Sequence, residues 1–180
     1  PNSLQVLIPS LHRHFPNTPV VAAGGIAGGE GILSALALGA AGVSVGTRFI
    51  ASTEAGVNAA YKDAIVSSKM DDIVLTTKIS GTPCTIINTP YAKKIGYTQN
   101  WFEKLLSNNK TTKKYFKMLV QIRGMQKLER SVKPAGYDTL WCAGQSVELI
   151  NDIQPCAVII ERMQQETVAA FAQLQKVMIA

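Results

Sequence analysis

The stretch Pro19-Val20-Val21-Ala22-Ala23-Gly24-Gly25-Ile26-Ala27-Gly28-Gly29-Glu30-Gly31 constrains the fold more than any other part of this chain. Four apolar residues run into a glycine pair, and a helical pattern opens behind them. This is the order of a buried strand, a tight turn and a helix. A second apolar segment with its own glycine exit follows directly, Ala41-Gly42-Val43-Ser44-Val45-Gly46-Thr47-Arg48-Phe49. Two strand ends that both expose backbone N–H groups make a place to hold a phosphate.

The surrounding pattern supports an α/β chain. Leu4 to Phe15 reads as a helix with Leu4, Leu7, Ile8 and Leu11 on one face, stopped by Pro16-Asn17-Thr18-Pro19. Val20 to Ala23 reads as a strand buried on both faces. Glu30 to Leu38 reads as a helix with Ile32, Leu33 and Leu36 inward, ended by Gly39. Gly42 to Val45 is the next strand. Short connections in the order α-β-α-β predict parallel strands with right-handed crossovers. A helix is expected from Asn58 to about Ser68, and an extended segment from Ile73 to Ile79. Residues 91 to 133 read as mainly helical, and Gly136 to Gly144 as irregular. A last amphipathic helix is expected from Ile159 to Met178, with Ile160, Met163, Phe171, Leu174 and Met178 on its apolar face.

Gly24 and Gly25 remove side chains from a turn and permit unusual φ values. The helix behind them is expected to add its positive N-terminal end. Gly46 and Thr47 supply a second set of donors, one strand-to-strand repeat further on. That spacing suits a β/α barrel, in which a phosphate sits at the loops after strands seven and eight. Gly24, Gly29 and Gly31 do not meet the strict spacing of the dinucleotide fingerprint, and no acid stands at the ribose position. Glycines that merely make tight turns would look much the same.

Composition limits the alternatives. The 180 residues are 47% hydrophobic and 17% charged, enough for a core and too little charge for a disordered chain. No apolar run reaches membrane-spanning length, and no signal peptide is expected. Cys84, Cys142 and Cys156 are odd in number and form no CxxC pair, so neither a disulfide scaffold nor a metal site is expected, and a reducing cytoplasm is. The net charge of +6 is concentrated. Between Lys93 and Lys133 stand eleven Lys or Arg and two acids, Glu103 and Glu129. A patch for an anionic polymer is one reading of that stretch, and solvated helix faces are the favoured one. Tyr97, Trp101, Phe102, Tyr115 and Phe116 fall at helical spacings among the lysines, as core residues do.

The run VVAAGGIAGGEGILSALALGAAGVSVGTRFIASTEAG at 20–56 resembles the C-terminal half of the nitronate monooxygenase family, once called 2-nitropropane dioxygenases. That family also includes FMN-dependent enoyl-acyl-carrier-protein reductases and NADH:quinone reductases. The motifs are AGGI at 23–26, ALALGA at 35–40, Gly46-Thr47 with Phe49, and Glu54-Ala55-Gly56. They continue with Tyr61-Lys62, Ser80-Gly81 with Pro83, and Ala143-Gly144-Gln145. The likeness spans the chain and is loosest over 91–134.

The resemblance implies an α/β fold, the C-terminal part of an FMN-binding TIM (β/α)8 barrel with a helical insertion. Residues 1–56 would be the last barrel units, 57–140 the insertion covering the substrate pocket, and 141–180 the barrel-closing segment. Backbone groups of Ala23, Gly24, Gly25, Gly46 and Thr47 would hold the FMN phosphate, with Gln145 returning near the flavin or the pocket. The activity implied is oxidation of small alkyl nitronates by O2. The alternatives are NAD(P)H-dependent reduction of a quinone or enoyl thioester, and a non-catalytic phosphate- or anion-binding module. No membrane or nucleic-acid partner is expected.

One departure bears on the chemistry. The family's catalytic base is a histidine in an upstream Gly-Gly-His motif. This chain has only His12 and His14, on the helix before the strand and without that motif. They read as surface residues, so no catalytic residue is expected here. A barrel takes about 250 residues, which suggests the C-terminal part of a longer protein. Asp71-Asp72 reads as a turn, Glu54 as a cap for the helix after it, and Cys142 as buried packing. Arg48 reads equally as a phosphate partner or a solvent-facing side chain.

Overall fold

The computed structural model of the chain describes residues 3–77, 83–98 and 140–179, with positions 118, 122, 126 and 129. The elements run α1 (Leu4–His14), β1 (Val21–Ala23), α2 (Gly29–Ala37), β2 (Gly42–Ser44), α3 (Thr47–Ile50) and α4 (Ala59–Ser67). Then come a 3-10 turn (Met70–Asp72), β3 (Ile73–Thr76), β4 (Cys84–Ile87), α5 (Pro90–Ile95), a second 3-10 turn (Gln145–Leu149) and α6 (Cys156–Ile179). The chain divides into two compact units, Pro1–Ala55 with Leu149–Ala180, and Gly56–Glu148.

In the first unit β1 and β2 pair in parallel, with Val21 opposite Gly42, Ala22 opposite Val43 and Ala23 opposite Ser44. A parallel pair needs a crossover, and α2 supplies it. Gly39, at φ 101°, takes the left-handed conformation just past the end of α2 and turns the chain into β2. Ile8, Ala22, Ile26, Ala35 and Ala40 form the core, flanked by Leu4, Ile32, Leu38, Val43 and Val45. Removing a side chain such as Ile8 from water is worth roughly 1.5–3 kcal/mol.

Burial corrects the sequence expectations in three places. β1 is buried on one face only: Ala22 faces the core, while Val21 is 59% exposed and Ala23 is also open. Short apolar runs do not reveal which face has a cover, and the open one is the face that a closed barrel fills in its interior. In α1 and α2, Leu7 and Leu36 are exposed, and Ile8 and Ala35 carry the contact instead. In α6, Ile159 and Met163 are buried, whereas Ile160, Phe171, Leu174 and Met178 are exposed. The helix begins three residues earlier than periodicity suggests, and its buried side chains lie in its first turns.

In the second unit Asn58 caps α4, its Oδ1 accepting from the Ala60 N–H at 2.9 Å. β3 and β4 pair antiparallel, from Ile73 opposite Ile87 to Thr76 opposite Cys84. β4 is a strand that the sequence reading did not foresee. Its outer partner is Cys142, which bridges to Ile86. Thr89 caps α5 through a bond from the Ala92 N–H at 3.1 Å, and Pro90 opens that helix. Ile86, Ala92 and Leu140 form the core. Of the basic stretch, Lys93 and Lys94 are exposed on α5. Trp101, Phe102, Tyr115 and Phe116 lie outside the described residues, as do Ile79 and the motif at 80–82.

Candidate phosphate-binding strand ends

The parallel register brings two glycine turns to one end of the β1–β2 pair. Ala23 and Ser44 are partners, so Gly24-Gly25 and Val45-Gly46-Thr47 leave the sheet side by side. Gly24 (φ 108°) and Gly25 (φ 75°) both lie in the left-handed region, where a side chain would be strained. A Cβ placed on Gly24, Gly25 or Gly46 would meet open space. Gly46 is the residue that caps the short helix α3. Backbone donors beside open volume are what a phosphate requires, so these residues fit the phosphate of a nucleotide cofactor.

The first-turn amide of α2 is already engaged. The Gly29 N–H donates to Glu166 Oε2 of α6 at 2.8 Å, and Glu30 adds a second carboxylate in the same turn. The expectation that α2 lends its positive end to a phosphate is therefore corrected: a carboxylate of the chain itself meets that end. Gly29 is also where two helices touch. A Cβ there would lie 2.2 Å from the Thr167 backbone nitrogen and 2.4 Å from Glu166 Cβ.

Arg48 takes neither of the two expected roles. It is 4% exposed and turned onto Asp152, with Nη1 donating to the Asp152 carbonyl at 2.7 Å and Nη2 to Oδ1 at 2.6 Å. Arg162 donates to Asp152 Oδ2 at 2.8 Å. Partial burial pushes the Asp152 carboxyl up, but the Arg162 bond and the two guanidinium charges outweigh it and hold the acid below its ordinary value. A cavity of about 240 Å³ lies beside this group, with Glu30, Arg48, Asp152, Arg162 and Glu166 in its walls. Gly24, Gly25, Gly46 and Thr47 are not in its lining.

Other sequence candidates resolve simply. His12 and His14 are exposed on α1, and His14 Nδ1 lies 2.7 Å from the Ser10 carbonyl oxygen. Asp72 belongs to a turn, accepting from the Lys69 N–H at 2.9 Å. Glu54 does not cap the following helix. Its two oxygens accept from the Cys156 N–H at 2.9 and 3.0 Å, at the head of α6. Gln145, in the second unit, opens a 3-10 turn and is exposed. Close by in sequence, Trp141 is buried and stacks on Tyr61, with ring centroids 5.4 Å apart. The Tyr61 hydroxyl donates to the Cys142 carbonyl. Burial pushes the Cys142 thiol up to about 11, the condition of an inert cysteine. Among the described residues no group of His, Cys, Asp or Glu has the arrangement of a metal site.

Sequence reading missed Trp141, Asp152 and Glu166. Each acts through a partner far off in the chain, and none sits in a motif.

The nitronate monooxygenase family model matches residues 2–166. A probable nitronate monooxygenase of Staphylococcus saprophyticus is 33% identical over 153 residues, covering 85% of this chain and 40% of that protein. An octahydroindene-carboxyl-CoA dehydrogenase of Mycobacterium tuberculosis is 36% identical over 97 residues, 53% of this chain and 27% of that one. Among solved structures, FabK from Thermotoga maritima aligns with a TM-score of 0.73 at 32% identity, covering 98% of this chain and 52% of its own. The chain thus spans about half the length, or less, of the proteins it matches. Its fold is α/β, the C-terminal part of a TIM barrel. A match over residues 2–166, nearly all of its length, makes this chain a member of the nitronate monooxygenase family.

Proposed function

We propose that this chain carries the phosphate end of an FMN site in an oxidoreductase that oxidises small alkyl nitronates with O2. One observation supports this above others: two glycine turns leave paired parallel strands together, beside open space, in a member of this family. Ala23, Gly24, Gly25, Gly46 and Thr47 hold the phosphate through backbone groups, and Gln145 serves the flavin or the pocket. Bound FMN supplies the two-electron redox chemistry. The chain's own contribution is to fix one end of the cofactor, and the proton-transferring histidine comes from residues outside this chain. In this reading residues 1–56 and 141–180 belong to the barrel part and 57–140 to a helical insertion.

A second reading, hydride transfer from NAD(P)H to a quinone or an enoyl thioester, draws on the likeness to a carboxyl-CoA dehydrogenase, whose named substrate is a thioester. The polypeptide that completes the barrel around this chain should be yellow, with flavin bands released on denaturation. Oxygen uptake with alkyl nitronates should exceed NADH oxidation by quinones. The reverse ranking favours the second reading, and a colourless protein that takes up no added FMN removes both.

A further inference from the structure

We infer that Arg48 is a positioning residue for the Gly46–Thr47 turn, held in a part-buried clasp by Asp152, and is not itself a ligand of the phosphate. The clasp matters for binding only if that turn receives a phosphate, so it rests on the function proposed above.

Arg48 follows Thr47 directly and sits on α3, a helix of only four residues. One helical turn has no stability of its own, so tertiary contacts must set its orientation. The structure supplies three, all reaching residues 152–156, the segment that leads into the head of α6. The Arg48 guanidinium makes its forked pair of bonds to Asp152. The Thr53 N–H donates to the Gln154 carbonyl at 3.1 Å, and Ser52 bridges to Gln154. Glu54 accepts from the Cys156 N–H. Residues 48–54 are thereby fastened along residues 152–156, and the Arg48 clasp is the fastening nearest the phosphate turn. Within the turn, Ser52 Oγ donates to the Phe49 carbonyl at 2.8 Å and accepts from the Ala55 N–H at 3.2 Å, which ties α3 to the fastened strip.

Nη1 and Nη2 of Arg48 both donate to Asp152, and the Arg48 side chain is almost wholly buried. A phosphate contact through either of these nitrogens would compete with an ion pair whose arginine is buried and whose carboxylate is 30% exposed. The planar fork also carries geometric information that a lysine cannot reproduce, because an ammonium is a point charge without a fixed second direction. Arg48 therefore acts through the backbone that it aims.

The test compares FMN with riboflavin, which lacks the phosphate, in the barrel-completing polypeptide. Arg48→Lys should weaken FMN about tenfold and leave riboflavin within about twofold, because only the phosphate end is misplaced. The phosphorus NMR signal of bound FMN should shift with it. Asp152→Asn separates positioning from direct contact. A clasp predicts that it weakens FMN as Arg48→Lys does, and that the double variant is no worse than either single one. A phosphate-binding Arg48, released from Asp152, would bind FMN as well as before or better, and that result overturns the inference. Equal loss of FMN and riboflavin also overturns it, since the clasp would then be merely structural. If Arg48→Lys fails to fold, the Asp152→Asn comparison decides alone, because the Asp152 carbonyl that Arg48 also uses is retained. A wild-type protein that binds no FMN removes the function proposed above and the clasp with it. Wild-type binding with an unchanged FMN-to-riboflavin ratio removes the clasp alone.

Discussion

At the scale of single residues, glycines in this chain do two different jobs that look alike in the sequence. Gly24 and Gly25 adopt left-handed φ values beside open space, so their lack of a side chain serves the turn itself. Gly29 has no such conformation. It permits a backbone approach, since an added Cβ would fall 2.2 Å from the nitrogen of Thr167. Gly29→Ala must therefore push α2 off α6, at a cost of about 1–3 kcal/mol. Chemical denaturation should show the loss, and Gly46→Ala, which meets open space, should lose less stability. Equal stability losses at the two positions would refute this division. The two glycine turns were legible in the sequence because their information is local: apolar strand, glycine, helix. Arg48 was not, because its partner stands 104 positions away and carries no motif. Glu166, which meets the head of α2 from 137 positions away, was invisible for the same reason.

Among elements, the helices and parallel strands were legible from periodicity, while strand β4 and the placement of apolar faces were not. Cys84–Ile87 is too short to show alternation, and becomes a strand only because β3 and Cys142 flank it. For α6 the periodic residues were identified correctly as apolar, yet burial depends on where α2 crosses, and crossing points are not written in the period. The head of α6 depends on a distant acid. Glu54 receives the Cys156 N–H, and that bond, with the Thr53 hydroxyl, holds the Glu54 carboxyl below its ordinary value; Thr53 has the larger effect. Asp152, four residues before the helix, is also lowered on balance. A carboxyl with a depressed folded pKa stabilises the fold fully above its unfolded value and loses that contribution as pH falls through the folded one. The melting temperature should accordingly be level near neutrality and fall as the solution is acidified through the ordinary carboxylate range and below. In the Glu54→Gln, Asp152→Asn double variant the neutral value should be lower and the acid slope shallower. An acid slope identical to wild type would show that neither carboxylate contributes.

At the scale of the whole molecule, the first unit has a sheet of two strands, and such a pair is marginal in water without further cover. β1 shows where that cover belongs. The Ala41 N–H donates to the Val20 carbonyl at 2.8 Å, so Val20 and Ala22 direct their backbone groups toward β2. By the alternation of a strand, Val21 and Ala23 direct theirs to the opposite edge, which no strand occupies among the described residues. The exposed Val21 side chain lies on the face that a barrel interior would fill. Edge and face are thus both incomplete at the strand that ends in Gly24-Gly25, and the glycine turn inherits that looseness. Hydrogen exchange on the 180-residue chain should find the Val21 and Ala23 amides exchanging well ahead of Ala22. When the remaining barrel strands are present in the same polypeptide, the two amides should slow to the rate of Ala22, and FMN should protect Gly24 and Gly25 further. Strong protection of Val21 and Ala23 in the chain alone would mean that this edge is satisfied without a barrel. The glycine turns would then owe their geometry to this chain and not to closure.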